Sequence, residues 1–165
     1  MTESQREATP RIDSSERDTA LAFLRFVRHS IVKKTDGLDD EQLRRPVVGT
    51  GTNLLGLVAH STGGEHYWFT YTFAGQMPRP GEEIFDMQVP ADRTTDEVLA
   101  GYREAAARSD ALIEAAESMD APCAEVVDGE PKTLRWVVAH MTGETARHAG
   151  HADILREIID GTTGR

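Results

Sequence analysis

No stretch of this chain alternates apolar and polar residues over the length of a strand, whereas four segments repeat their apolar residues at helical spacing. From Glu16 to about Thr35, Leu21, Leu24, Val27 and Ile31 share a face, Ser14 or Ser15 offers an N-cap, and Asp36-Gly37 supplies a stop. Thr52 or Asn53 caps a second helix reaching about Ala74, where Gly75 ends it. Thr94 or Thr95 precedes DEVLAGYREAAARSDALIEAAES, with acidic residues in its first turn and Val98, Tyr102, Ala105, Ala106, Leu112 and Ile113 as its apolar set. KTLRWVVAHMTGETARHAGHADILREIIDG then runs as the fourth helix to Gly161. LDDEQLRRPVVGTGT reads as a connector, VVDGEP as a small turn or hairpin, and QMPRPGEEIFDMQVPADRTTD as a long loop punctuated by Pro and Gly. Four long helices joined by loops predict an all-α four-helix bundle. Short loops favour up-down-up-down order, and the connector over 76–95 allows a crossover.

The length of 165 residues suits one domain, expected over 14–165 behind a polar, flexible lead-in over 1–13. Lys and Arg number 18 against 28 Asp and Glu, so the negative surface repels a phosphate backbone and argues against a nucleic-acid partner. No apolar run approaches the roughly 20 residues that cross a bilayer. Cys123 is the only cysteine and cannot form an internal disulfide, and the polar N-terminus has no signal peptide, so a cytoplasmic location is expected.

The last helix carries an unusual polar strip. At helical pitch, Glu144, His148 and His151 lie about 40°, 80° and 20° from His140. Val137, Met141, Leu155 and Ile158 point the same way, so the strip is expected to face inward. A buried carboxylate and imidazoles need partners, and a divalent metal supplies one. Glu144 and His148, one turn apart, have the spacing by which two helical ligands meet one ion, and His60, in the apolar context LLGLVAH beside Gly63 and Gly64, is the candidate third ligand. Two imidazoles and a carboxylate leave positions open for water or substrate. Spacing alone leaves a buried hydrogen-bond network equally open. His66 falls on another face than His60, His29 sits among basic residues at the surface, and LLGLVAHSTGGE and LRWVVAHMTGE hint at a two-helix unit used twice.

The helix ending in VAH, the downstream EHYWFTYTFAG, and above all ETARHAGHADILREIIDG resemble the DinB superfamily of metal-binding four-helix bundles, in particular its thiol-dependent branch. The common form there is a histidine on the second helix and HxxxH on the last. Here His148 matches the second of that pair, Glu144 stands where the first usually is, and His151 replaces a glutamine. The His, Glu, His combination is similar to that of mycothiol-dependent maleylpyruvate isomerases, and the resemblance makes His60, Glu144 and His148 the metal ligands. His140 becomes either a neighbour of the ligands or a core histidine.

The resemblance implies a low-molecular-weight thiol such as mycothiol as co-substrate and a small electrophile as its partner, the chemistry of a transferase or isomerase active in detoxification. A metal with an open position stabilises the thiolate at neutral pH. His151 is the candidate catalytic group that accepts the thiol proton. Zinc is the expected metal, and nickel, iron and manganese suit the same donors. Cys123 reads as structural. Trp68, Phe69, Tyr71 and Phe73 read as core or interface, or as pocket lining for an apolar substrate. The apolar remainder of a bundle suits a homodimer, and the 76–95 loop is expected to cover the mouth of the site. The competing readings are a non-catalytic metal sensor, with His151 or Glu65 closing the shell, and an interaction bundle whose histidines only hydrogen-bond one another.

Overall fold

Ser15, in extended conformation, accepts a hydrogen bond from the Asp18 N–H and starts α1, Glu16–Lys33. The computed structural model describes residues 8–164, so the first seven residues of the expected lead-in lie outside the described ones. The stretch read as a plain connector contains α2, Asp40–Arg44, opened by a full capping box between Asp39 and Gln42 and anchored by buried Leu43. Asn53 caps α3, Leu54–Glu65, which continues without a break into a π-helical segment, His66–Phe73, and stops at Gly75 with φ 61°. A 3-10 turn, Glu82–Phe85, lies in the long loop. Thr94 and Glu97 form the capping box of α4, Thr95–Ala115, shorter at its end than the sequence suggests. Val127 and Glu130 pair across Asp128-Gly129, both at positive φ as a tight hairpin turn requires. The last helix, α5, Leu134–Asp160, closes on Gly161 in the left-handed region.

Neighbours around the bundle are α1, α5, α3 and α4 in turn. Glu16 meets Arg135 and Lys34 meets Asp153, so α1 and α5 run parallel. Arg17 donates to the Ala116 carbonyl and Arg28 to Asp110, so α1 and α4 run antiparallel. His60 faces His148 and Trp68 faces Trp136, so α3 and α5 run antiparallel as well. This is not the up-down-up-down order expected of short loops. The first two long helices are diagonal to each other, and so are the last two, as a two-helix unit used twice about a two-fold axis would give.

A chain leaving α3 must return along the bundle before starting a parallel α4, and the loop does this as a strap lying on α3. Two glycines make room for it. A Cβ on Gly63 would stand 1.7 Å from the Ile84 carbonyl oxygen, and one on Gly56 would stand 2.3 Å from that of Met87. Gly64 serves the neighbouring helix instead, with Met141 of α5 in van der Waals contact with its open side.

The apolar core falls into two halves. One gathers Ile31, Leu55, Val58, Val98, Ala152 and Leu155, the other Leu24, Phe69, Ile113, Leu134, Val137 and Met141. Between them runs a polar layer. Arg28 donates from Nε and Nη2 to both oxygens of Glu65, at 2.7 and 2.6 Å, and from Nη1 to Asp110 at 2.5 Å. Arg28 and Glu65 are 4 % and 1 % exposed, so the pair is fully desolvated. Such a pair adds little net stability against an apolar replacement, but losing one partner strands a buried charge.

Candidate metal centre

The strap fixes His60. With its carbonyls seated on Gly56 and Gly63, it brings the Phe85 oxygen 2.7 Å from His60 Nδ1, which donates to it and leaves Nε2 with a free lone pair. Across the α3–α5 contact, the His148 ring approaches edge-on, its centroid 4.8 Å from that of His60 at 79°. His148 Nδ1 is buried with no hydrogen-bond partner among the described residues. Burial, then the neighbouring His60, pulls the His148 imidazole down to about 4, so it is neutral at physiological pH. Glu144, one turn earlier on α5, lines the same cavity of about 370 Å³, and Ser61, Gly64, Met141 and Thr145 form part of its walls.

All three predicted ligands therefore reach one cavity. Among the described residues, however, no three His, Cys, Asp or Glu side chains converge as they stand. The cause is visible in Glu144, whose carboxylate turns outward to Arg147, Oε1 lying 3.1 Å from Nη1. Two adjacent imidazoles, one with an orphaned buried nitrogen, and a carboxylate able to swing back form a donor set that fits one divalent cation with positions left open. His151 is exposed and stands outside the cavity lining, its ring 5.8 Å from that of His148.

Two sequence readings, those of Ile158 and Glu65, change here, and three others can be placed. Ile158, expected inside with the strip, is 51 % exposed, because Ile159 packs on the core in the last turn of α5. Glu65, named as a group that could close a sensor-type shell, has both oxygens on Arg28. His66 is half-buried and His29 exposed. Cys123 is half-buried against the core, and burial pushes its thiol up, which suits a structural role.

A second wall escaped the sequence reading. Trp136 and His140, one turn apart on α5, stack at 4.9 Å with 7° between their planes, and Trp68 lies 4.3 Å from the His140 ring. Burial lowers the His140 pKa. The π-helical turns let Phe69 enter the core while Tyr67 and Tyr71, their rings 5.4 Å apart and tilted at 54°, line a groove beside it, a local widening common at functional sites. The aromatic groove that results, about 680 Å³ with Arg79 and Asp128 on its edge, joins the cavity through Trp68, Phe85 and His140. The aromatics are thus divided between core and pocket. The spacing of Trp136 and His140 was the signal available for this wall.

The family model described as mycothiol-S-transferase matches residues 19–161. The chain belongs to the mycothiol-S-transferase family. The DinB-like resemblance carried by the last helix is borne out, and the matched span takes in the polar layer, the strap and every predicted ligand of this family member. No curated protein matches the chain. Among solved structures, YfiT from Bacillus subtilis, described as a probable metal-dependent hydrolase with an unusual four-helix bundle topology, superposes with a TM-score of 0.63 at 19% identity. The match covers 90% of this chain and 91% of YfiT and establishes the shared bundle fold. No helix among the described residues is long and apolar enough to cross a membrane.

Proposed function

We propose that this mycothiol-S-transferase family member is a divalent-metal-dependent enzyme that joins a mycothiol-type thiol to a small electrophile, or uses that thiol to isomerise one. His60, Glu144 and His148 are its metal ligands in this reading, zinc is the first choice of metal, and nickel, iron or manganese suits the same donors. The observation that carries it is the His60–His148 ring pair, with a buried nitrogen lacking a partner, in a cavity that Glu144 also lines. When bound, the metal supplies a Lewis acid that lowers the thiol pKa.

The chain's own groups do the rest. The Phe85 carbonyl holds the His60 tautomer, burial keeps His148 unprotonated, and the Trp68, His140 and Trp136 wall excludes water from one side of the cavity. His151 at the exposed edge accepts the thiol proton. In a transfer the new sulfur–carbon bond forms as the leaving group departs with its electron pair. The aromatic groove offers stacking faces, and Arg79 and Asp128 offer polar contacts, for the body of the thiol. A cytoplasmic location belongs to the same reading. A second copy would cover Ile154 and Ile158, exposed neighbours one turn apart on α5, and sedimentation of the purified protein tests that pairing.

The deciding experiment is elemental analysis of wild type, His148→Ala and Glu144→Ala, followed by transfer assays with mycothiol and a chromogenic electrophile. About one divalent ion per chain in wild type, lost in both variants, supports the reading. A wild-type protein that holds no ion after incubation with zinc, nickel and manganese ends it.

A further inference from the structure

On the side of the bundle opposite the metal centre, α1 and α4 enclose a cavity of about 300 Å³. Although the chain carries a net charge of -10, this cavity gathers Arg25, Arg28, His29 and Arg103. One acid stands among them, and both of its oxygens are occupied: Asp110 Oδ2 accepts from Arg25 at 2.6 Å and Oδ1 from Arg28 at 2.5 Å. Each guanidinium has five N–H donors, and the bonds from Arg25 and Arg28 to Asp110, Glu65 and Glu114 leave donors over on both. Arg103 lies exposed at the rim. The three carboxylates balance the charge of the three arginines, so the cavity, of binding-site size, offers a ligand unfilled N–H donors rather than net positive charge.

Tyr102 supplies an independent observation. It lines the same cavity, is 1 % exposed, and its hydroxyl is buried with no hydrogen-bond partner among the described residues. A buried hydroxyl left without a partner is costly, and an incoming acceptor oxygen removes that cost. Val32, Ala106 and Ala107 add an apolar wall for the rest of a ligand.

We infer that this cavity is a second small-molecule site that takes its ligand through a carboxylate or phosphate oxyanion, with Arg28, Arg103 and the Tyr102 hydroxyl as donors. It shares no lining residue with the metal cavity, so the two sites are separable by mutation.

Calorimetric titration of metal-free protein, in a buffer without oxyanions, with inorganic phosphate and with benzoate tests the inference. At least one probe should bind saturably at one site, about fivefold or more weakly in Arg103→Ala and in Tyr102→Phe, and equally well in His148→Ala. Tyr102→Phe removes only an oxygen that bonds to no other residue, so its urea midpoint should equal or exceed that of wild type. Binding of phosphate alone assigns the site to a phosphate-bearing ligand, and binding of benzoate alone to an apolar carboxylate. Absence of saturable binding by both probes, or binding that Arg103→Ala and Tyr102→Phe leave unchanged, overturns the inference.

Discussion

The Phe85 carbonyl oxygen sits 2.7 Å from His60 Nδ1, and that contact exists because a glycine at position 63 lets the strap lie on α3. Gly63→Ala forces the Ile84 carbonyl away, since the new Cβ would meet backbone rather than a movable side-chain end. The expected cost is about 1–3 kcal/mol of stability, read by urea denaturation. Metal affinity should fall on the order of tenfold, although no ligand is changed, read by competition with a chelator. Gly143→Ala, which meets nothing within 4 Å, is the control and should leave both readings near wild type or slightly improve stability.

The turning of Glu144 toward Arg147 makes a second prediction. Arg147 is largely exposed, so the pair is weak, and a metal held by Glu144 as proposed would have to break it. Arg147→Ala should tighten metal binding by about twofold to fivefold in chelator competition at low salt, with the gain fading as salt screens the pair. An unchanged affinity at low salt would show that the Glu144–Arg147 pair does not compete with the ion.

His148 links stability to pH. Its folded value of about 4 lies below its ordinary 6.5, so as pH falls through that window the unfolded chain takes up a proton before the folded one can. The metal-free protein should therefore keep this contribution above about 6.5 and lose it progressively toward about 4. Thermal melts across this window should slope less steeply in His148→Gln, and equal slopes in both proteins would refute the assignment.

Glu65→Ala leaves Arg28 with Asp110 as its remaining carboxylate partner and two buried N–H donors unfilled, and should destabilise the fold by about 3 kcal/mol. Replacing both members, Arg28→Met with Glu65→Leu, should recover most of that loss, because the partners' mutual attraction largely offsets their desolvation. Urea midpoints of the single and double variants test this; a double variant as unstable as the single one would mean that Asp110 depends on Arg28 as strongly as Glu65 does.

Much of the helical layout was legible because its signals are local. Ser15, Asn53, Thr94 and Gly161 each act within one turn of their helix end, so the sequence carries them without reference to the rest of the chain. The Asp39–Gln42 capping box is equally local, but it opens a helix of five residues inside a stretch rich in Pro and Gly, where a connector is the natural reading. The π-helical widening at His66–Phe73 has no periodicity long enough to register. Arg28 and Glu65 lie 37 residues apart and look like two ordinary helical charges until the bundle brings them together. The candidate site divides in the same way: Glu144 and His148 were readable from a one-turn spacing, His60 from its apolar setting, but Trp136, the strap over His60 and the outward turn of Glu144 depend on tertiary contacts.

The parallel pairing of the first and last long helices has a consequence for how the protein is made. Glu16 finds Arg135 across 119 residues of chain, and Arg156 reaches back 122 residues to the Lys34 carbonyl. α1 therefore emerges from the ribosome long before the helix it packs against exists, and neither half of the apolar core can close until α5 has been synthesised. Contacts this distant in sequence slow folding, so the nascent chain carries an exposed apolar face through most of translation and completes its histidine pair only at the end.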